Sequence, residues 1–298
     1  TNSGFFLIYL YLKFKNLYKM IKSITLFVIT LFSFSLATAQ AKLEKIKGSK
    51  IVTISVKEVE EFEHVEIEEF LDVYFVKGEK TSIEIEADDN LHDIISYNVL
   101  GKTLKLTALK QPVGEKKMAI RVNYNDSLKT IVARHESKVN AIADIALANI
   151  TVKNFDKSQS FLNVKSTNFT LILTDKSKAE INVQAEKSVV ELSKDANLKA
   201  LIASPESKVD LYQKSQATIE GDAQIAKIRL DNNSSLMAKK FTVVDMELIA
   251  EGYTSCSVNA QKTIEISASG NTQIDLLGEP KVDLKIFTNT ATLSKKIK

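Results

Sequence analysis

The side chains that most often ligate metals or attack substrates are few in this sequence. The histidines are His64, His92 and His135, which lie in different segments and show no metal-ligand spacing. Cys256 is the only cysteine, and no histidine lies near it in sequence to act as the base that a nucleophile needs. We therefore predict surface or turn positions for the histidines, a buried or half-buried Cys256, and no metal or cofactor.

The densest charged feature is a run of glutamates between residues 58 and 69. Paired carboxylates can hydrolyse glycosidic bonds or hold calcium, but the glycine-containing calcium loop is missing here. A better explanation is that the charges cover solvated strand faces and protect sheet edges. The run comprises Glu58, Glu60, Glu61, Glu63, Glu66, Glu68 and Glu69.

Arginine is scarce, with Arg121, Arg134 and Arg229 in unrelated elements. Polysaccharide lyases built on parallel β-coils need acids gathered beside an arginine or lysine base, and no repeat shows such a cluster. No glycine-rich phosphate loop occurs either. We predict a protein that is not an enzyme. A carbohydrate-active enzyme of the lyase or hydrolase kind is the alternative.

Residues 20–39 have the three parts of a secretory signal peptide. Lys22 follows Met20, an apolar run extends from Ile24 to Leu36, and a small-x-small cleavage site follows. The cleavage site is formed by Ala37, Ala39 and Gln40. A transmembrane anchor is the alternative, but the run is shorter than the roughly 20 residues that span a bilayer.

Residues 1–19 precede the first methionine. We interpret them as untranslated or mis-annotated sequence, with a longer, unusual leader as the alternative. No cysteine follows the apolar run, so a lipid anchor is not expected. The chain should contact the membrane only during export, and its destination is the periplasm, the cell surface or the medium.

Removing the leader changes the charge of the chain. The first 39 residues hold four lysines and no acidic residue, which leaves 36 of the 40 basic side chains against 37 acidic ones. A nucleic-acid binder needs a clustered basic excess. The sequence therefore predicts no nucleic-acid partner.

Strict alternation of apolar and polar residues begins near Lys50, as in Ile51–Val56 and Met118–Val122. This period of two is typical of strands with one buried face. Asn90 could cap a short helix over the next five residues. The pattern predicts an N-terminal β region over residues 45–133.

From residue 134 to 298 short polar turns recur, each followed by an alternating strand. Recurrence of this kind favours a parallel β-solenoid over an antiparallel β-sandwich. Stacked turns would place Ser137, Ser177, Ser207 and Ser234 in a polar ladder. We therefore predict an all-β fold, with the N-terminal β region leading into the solenoid, and the two parts could form one domain.

The residues also resemble those of the bacterial family called "putative auto-transporter adhesin, head GIN domain". The resemblance covers roughly residues 50–295. It is carried by Phe62, Phe70–Gly78, Ile83–Leu91 and Tyr97–Leu106, and then by the rungs Ser137–Val139 and Ser207–Val209. Glu136, Lys176 and Glu206 stand where the family usually has small residues. The resemblance implies a solenoid-like fold and brings no catalytic or binding residues.

These observations predict an exported, non-enzymatic β-repeat protein with an adhesion-like or envelope-scaffold role. A surface protein or a glycan is the expected kind of partner. The second alternative, beside the carbohydrate-active enzyme, is a periplasmic accessory protein that acts only through a partner.

Overall fold

The computed structural model describes residues 43–297, and from Glu44 onward they form one compact unit. The predicted signal peptide and its cleavage residues Ala37, Ala39 and Gln40 lie outside the described residues. The strands are β1 Lys45–Lys47, β2 Val52–Glu58, β3 His64–Glu68, β4 Asp72–Lys77, β5 Ser82–Asp88, β6 Ile95–Leu100, β7 Thr103–Ala108, β8 Gln111–Val113, β9 Met118–Tyr124, β10 Thr130–Ala133, β11 Lys138–Ala141, β12 Ile145–Asn154, β13 Gln159–Leu173, β14 Lys178–Leu192, β15 Asn197–Ala203, β16 Glu206–Leu211, β17 Gln216–Leu230, β18 Ser235–Ala250, β19 Tyr253–Ala268, β20 Asn271–Leu277, β21 Lys281–Phe287 and β22 Thr292–Lys295.

The chain winds as a parallel β-solenoid of about 9 turns, which confirms the predicted fold class and excludes the antiparallel sandwich. Each strand pairs in parallel with the one a rung later. Gln159 pairs with Lys178, which pairs with Asn197. The interval is 19 residues there, and along the stack it stays between 17 and 21. The repeat is therefore more regular than the turn spacing in the sequence suggested.

Every rung has two faces that meet at a bend. In β13 the side chains alternate inward and outward from Gln159 to Ser166, then Thr167 and Asn168 both face solvent, and alternation resumes to Leu173. Two consecutive outward residues interrupt the alternation of inward and outward side chains. The strand therefore bends here, while its residues on both sides of the bend stay paired with the neighbouring strand. We call the sheet that contains residues 159–166 the first face and the sheet that contains residues 168–173 the second face.

The other edge of the rung is a tight turn with one or two residues in the left-handed region. Non-glycine residues there include Glu69, His135, Asp156, Asp175, Lys194, Gln213, Asn232 and Asn289, and Gly252 and Gly270 occupy the same place in later rungs. One such residue per rung lets the strand leave the second face and re-enter the first. The turns stack because the rungs have nearly equal length.

A column of buried hydroxyls lies just inside this turn edge. It consists of Ser137, Ser158, Ser177, Ser215, Ser234, Thr254 and Thr272. The Ser158 hydroxyl donates to the carbonyl of Phe155 at 2.8 Å and the Ser137 hydroxyl donates likewise to Arg134. Each of these two carbonyls also accepts the backbone N–H of the same serine, so the hydroxyl adds a second hydrogen bond across the turn.

The predicted serine ladder is therefore partly wrong. Ser137, Ser177 and Ser234 belong to the turn column, but Ser207 lies at the opposite edge, where its hydroxyl accepts from Ser188 at 3.0 Å. The Pro205–Lys208 stretch resembles a turn unit in composition, yet it forms the bend between the two faces and the start of β16. Residue composition correctly indicated an interruption between strands at each of these positions. It did not distinguish the turn edge of the rung from the bend between the two faces.

Seven of the first nine strands extend both faces at the N-terminal end, while β1 and β8 pair in a separate two-stranded sheet. On the first face β4 pairs with β9, β9 with β5, and β5 with β2, the last two pairings being antiparallel. On the second face β3 pairs with β7 and β7 with β6. A single 3₁₀ helix, Asp89–Ile94, lies among them in the described residues. The prediction that Asn90 caps this helix is wrong, because Asn90 lies inside it and its side-chain amide donates to the Lys47 carbonyl.

The carboxylate of Asp88 fastens three separate segments at this end of the solenoid. The side chain is fully buried and accepts from the backbone N–H groups of Lys50, Lys116 and Lys117 at 2.9–3.1 Å. Burial raises the pKa of the Asp88 carboxyl, but these three donors and the Lys50 charge outweigh it, and the pKa is lowered from 3.8. Gly48 lets the chain approach, since a Cβ there would lie 2.3 Å from the carboxylate.

We expect Asp88→Asn to lower the melting temperature by several degrees at pH 7, because an amide nitrogen would face backbone donors. A lowered folded-state pKa contributes stability above the unfolded pKa, and that stability is lost as pH falls through the folded value. The difference in melting temperature between the wild type and Asp88→Asn should therefore become smaller below about pH 4. Thermal melts from pH 3 to 7 measure it, with exposed Asp126→Asn as the control. A melting-temperature difference that grows as the pH falls would contradict the stabilising role of the ionised Asp88 carboxylate.

Candidate functional site

The structure keeps the three histidines apart. His64 starts β3, His92 lies in the 3₁₀ helix, and His135 lies in the turn edge with Nδ1 3.0 Å from Glu69 Oε1. Within residues 43–297 no group of three or more His, Cys, Asp or Glu side chains is placed to hold a metal ion.

His92 is the one histidine that meets hydroxyl side chains. Its Nε2 lies 2.9 Å from Thr53 Oγ1 and its Nδ1 lies 3.2 Å from Ser55 Oγ. A serine nucleophile needs its base oriented by a third group on the other ring nitrogen. In His92 both ring nitrogens contact hydroxyls, so neither nitrogen is held by such an orienting group. The two contacts instead fix the 3₁₀ helix against β2.

Cys256 faces the interior of the solenoid, in agreement with the predicted burial. Burial, and then the Asp275 charge, raises the pKa of the thiol to about 12. The thiolate is the reactive form of cysteine. Cys256 is therefore a neutral packing residue at physiological pH.

The arginines also lie in separate places. Arg121 pairs with Glu84 at 2.6 Å, Arg229 pairs with Glu251 at 3.0 Å, and the Arg134 guanidinium stacks 4.3 Å from the centre of the Phe155 ring. Each contact joins neighbouring strands or rungs. The arginines serve the stacking of the solenoid.

The acidic run contributes to the same kind of contact. Glu63 accepts from Lys102 and from Lys129, which hydrogen-bond it and hold its pKa down at about 2. Glu68 pairs with Lys105 at 3.2 Å. Lysines of neighbouring segments thus pair with two of the seven glutamates of the run, Glu63 and Glu68.

Two adjoining grooves lie on the outer side of the first face. The first encloses about 660 Å³ and crosses β13, β14, β15 and β17. The second encloses about 540 Å³ and crosses the same four strands nearer the bend. Together they form one open depression, which we call the first-face groove.

The floor of the first-face groove mixes apolar and polar side chains. Phe161 and Leu201 are 39% and 49% exposed. The amide of Asn182 donates to Asn163 Oδ1 at 2.8 Å, and Lys199 donates to Glu180 Oε1 at 3.0 Å. Because these groups repeat at rung spacing, they form short rows along the solenoid axis.

The second part of the groove is lined by Lys165, Gln184, Ala203 and Asp222, which are equivalent outward positions in four successive rungs. The groove thus offers amides, carboxylates and lysines beside exposed apolar carbon. This combination suits an extended polar chain with apolar faces.

The sequence prediction did not single out any groove residue. The available signal was the 19-residue period, since outward positions of one face recur at that interval. Asn163 and Asn182 are one such pair, and Glu180 and Lys199 are another.

A family model described as "putative auto-transporter adhesin, head GIN domain" matches residues 61–280. The chain belongs to this family. The match includes all the residues of the first-face groove and confirms the resemblance recognised in the sequence. No curated protein sequence matches the chain.

Solved structures share the fold of this head GIN domain chain. A "putative adhesin" from Parabacteroides distasonis has a TM-score of 0.65 at 15% identity, and one from Parabacteroides merdae has 0.60 at 16%. A "putative lipid binding protein" from Parabacteroides distasonis has 0.60 at 14%. Each match covers 85% of this chain and 100% of the other.

These identities establish a shared fold only. The family and two of these three neighbours are described as putative adhesins, which is consistent with a non-enzymatic, adhesion-like protein of the cell exterior. Among the described residues, no helix is long and apolar enough to cross a bilayer.

Proposed function

We propose that this chain is an exported, non-enzymatic adhesion protein, and that the first-face groove binds a glycan chain. The observation that carries the proposal is the groove itself. It crosses four rungs, it is open at the surface, and it places Phe161 beside the amides of Asn163 and Asn182.

The chemistry of the groove fits a saccharide. Sugar rings present apolar C–H faces and a rim of hydroxyls, so an exposed aromatic ring can stack while amides and carboxylates hydrogen-bond the rim. Phe161 supplies the ring, and Asn182 and Glu180 lie on the next rung. The rung-to-rung spacing of about 4.8 Å brings these groups to one short stretch of ligand.

The paired strands hold the first-face groove in one conformation, so it can bind a ligand without a loop or domain closing over it. Strands on both sides fix every lining side chain, and the first face is one sheet from β2 to β22. A preorganised surface loses little conformational entropy on binding. Many weak contacts along such a face would give retention on a repetitive ligand such as a polysaccharide.

Glycan-array binding and retention on immobilised polysaccharides test the proposal. We expect Asn182→Ala to weaken binding about tenfold, which corresponds to one lost polar contact of about 1.4 kcal/mol. Asn168→Ala is the matched control. Its amide makes the same 2.8 Å bond to an asparagine one rung away, Asn149, but at the bend outside the groove.

The two asparagine variants remove the same kind of amide contact from the fold. Equal losses of glycan binding would therefore be explained by lower protein stability and would contradict the groove as the binding site. Absence of retention on any glycan would also overturn the proposal. Release of new reducing ends from a bound polysaccharide would contradict its non-enzymatic part.

A further inference from the structure

The turn edge of the solenoid changes character in its later rungs. At the left-handed residue of the turn, and at the positions one and three residues after it, the early rungs carry charges, as at Lys157, Lys176 and Asp195. In consecutive later rungs the same positions hold no charged side chain. We call this surface the neutral patch, and it consists of Asn232, Asn233, Ser235, Gly252, Tyr253, Ser255, Gly270, Asn271 and Gln273.

Strand pairing brings the neutral patch together in rows. Tyr253 pairs with Asn271, and Ser255 pairs with Ser235 on one side and with Gln273 on the other. The Ser255 hydroxyl donates to Ser235 Oγ at 3.2 Å. Because neighbouring rungs are about 4.8 Å apart, these amides and hydroxyls form one continuous polar surface along the turn edge.

An exposed aromatic ring lies in the middle of the neutral patch. Tyr253 is 65% exposed, a larger fraction than the 39% of Phe161 in the first-face groove. Gly252 precedes it, and Gly270 takes the place of Gly252 in the next rung, so neither position has a side chain that could cover the ring. A Cβ at Gly270 would lie 2.5 Å from the Gly252 carbonyl oxygen, so this turn has no room for a side chain there.

We propose that the neutral patch is a second binding site, for an uncharged saccharide with one sugar ring stacked on Tyr253. An aromatic ring packs against the apolar face of a sugar, and amides and hydroxyls donate to and accept from its hydroxyl groups. The neutral patch lies at the turns before β18, β19 and β20, whereas the first-face groove crosses β13, β14, β15 and β17 on the outer side of the first face. This inference therefore does not depend on the groove.

Charge and apolar area decide between classes of ligand. A uronic acid or a phosphate group is held in proteins by lysine or arginine, and the neutral patch contains neither. The core of a protein–protein interface is mostly apolar. Here the apolar side chains are Tyr253 and, two residues past Ser235 on β18, Met237, which is 58% exposed. The combination of one ring with many uncharged polar groups favours a neutral sugar over both.

An array of neutral hexasaccharides of glucose, galactose, mannose and N-acetylglucosamine tests the site on the purified protein, with uronic-acid hexasaccharides as the charged arm. We expect at least one neutral sugar to bind, about tenfold weaker binding for Tyr253→Ala, and binding within about twofold of wild type for Tyr253→Phe, which keeps the ring. Lys176→Ala, at the equivalent turn position of an earlier rung, is the control and should bind like the wild type. Circular dichroism and melting temperature confirm that each variant is folded.

Chemical protection gives a second readout that locates the bound sugar. Nitration of tyrosines by tetranitromethane, followed by mass spectrometry, reports how accessible each ring is. A saturating concentration of the neutral sugar found on the array should slow nitration of Tyr253 several-fold, in the wild type and in Phe161→Ala alike. Tyr97 on β6 is the internal control, and its nitration rate should not change.

Three results would overturn the proposal. The first is that no neutral sugar on the array binds, and the second is a bound sugar that does not slow nitration of Tyr253. The third is binding that Phe161→Ala abolishes and Tyr253→Ala leaves unchanged, because the sugar would then occupy the first-face groove alone. The reverse pattern, loss in Tyr253→Ala and retention in Phe161→Ala, would support the neutral patch and count against the groove.

Discussion

Gly221→Ala is expected to lower the free energy of unfolding by about 3 kcal/mol, a large effect for one methyl group. Gly221 has φ +113°, a conformation that side chains rarely adopt, in the middle of β17. A Cβ there would lie 2.0 Å from the carbonyl oxygen of Ile202 and 2.8 Å from its carbonyl carbon. That neighbour is backbone in the parallel ladder, so it cannot move aside without losing a rung-to-rung hydrogen bond.

The control for this prediction is Gly101→Ala. Gly101 also has a positive φ, +56°, but nothing lies within 4 Å of the position of its Cβ. The substitution should cost about 1 kcal/mol, the ordinary penalty of a left-handed alanine. Urea unfolding followed by far-ultraviolet circular dichroism measures both. Equal losses in the two variants would show that the contact with Ile202 contributes nothing.

The position of Gly221 could not be predicted from the sequence. Glycine inside an alternating strand indicates a bulge or a close backbone approach, but it does not say against which strand. Here the ladder between β17 and β18 shifts register between Thr218 and Glu220. β18 carries one extra residue opposite this step, and Gly221 adapts the backbone beside it.

Other parts of the fold could be predicted because they depend on local pattern. Alternation such as Ile51–Val56 or Met118–Val122 predicts strands β2 and β9 from the sequence. The turns at His135, Asp175 and Asp231 also lie in one stacked edge of the solenoid. Period-two hydrophobicity and turn composition are properties of short segments, so they can be recognised without the fold.

The two edges of a rung and the groove depend on long-range register. Ser207 and Ser234 have similar neighbours in sequence, and only the 19-residue pairing shows that they lie on opposite edges. Asn163 and Asn182 are ordinary exposed amides until that pairing places them side by side. A shift of one or two residues in rung length would separate such rows, so sequence composition alone could not identify the groove.

The second large effect is expected for Phe241→Ala. Phe241 is fully buried on β18, and its ladder partner on β17 is Gly221. A large side chain beside a glycine fills the volume that the glycine leaves empty. Truncation should cost about 3–5 kcal/mol, because Gly221 has no side chain that could move into the cavity.

Phe161→Ala is the matched control for Phe241→Ala, since it removes the same atoms from the outer side of the first face. Phe161 is 39% exposed, so its loss should cost at most about 1 kcal/mol. Urea denaturation compares the two, and the glycan-binding assay should show the reverse order, with Phe161→Ala affected and a folded Phe241→Ala retained. Comparable stability losses would mean that the interior near Gly221 collapses around the missing ring. The contrast would separate the side chains that hold the rungs together from those that the solenoid presents to a ligand.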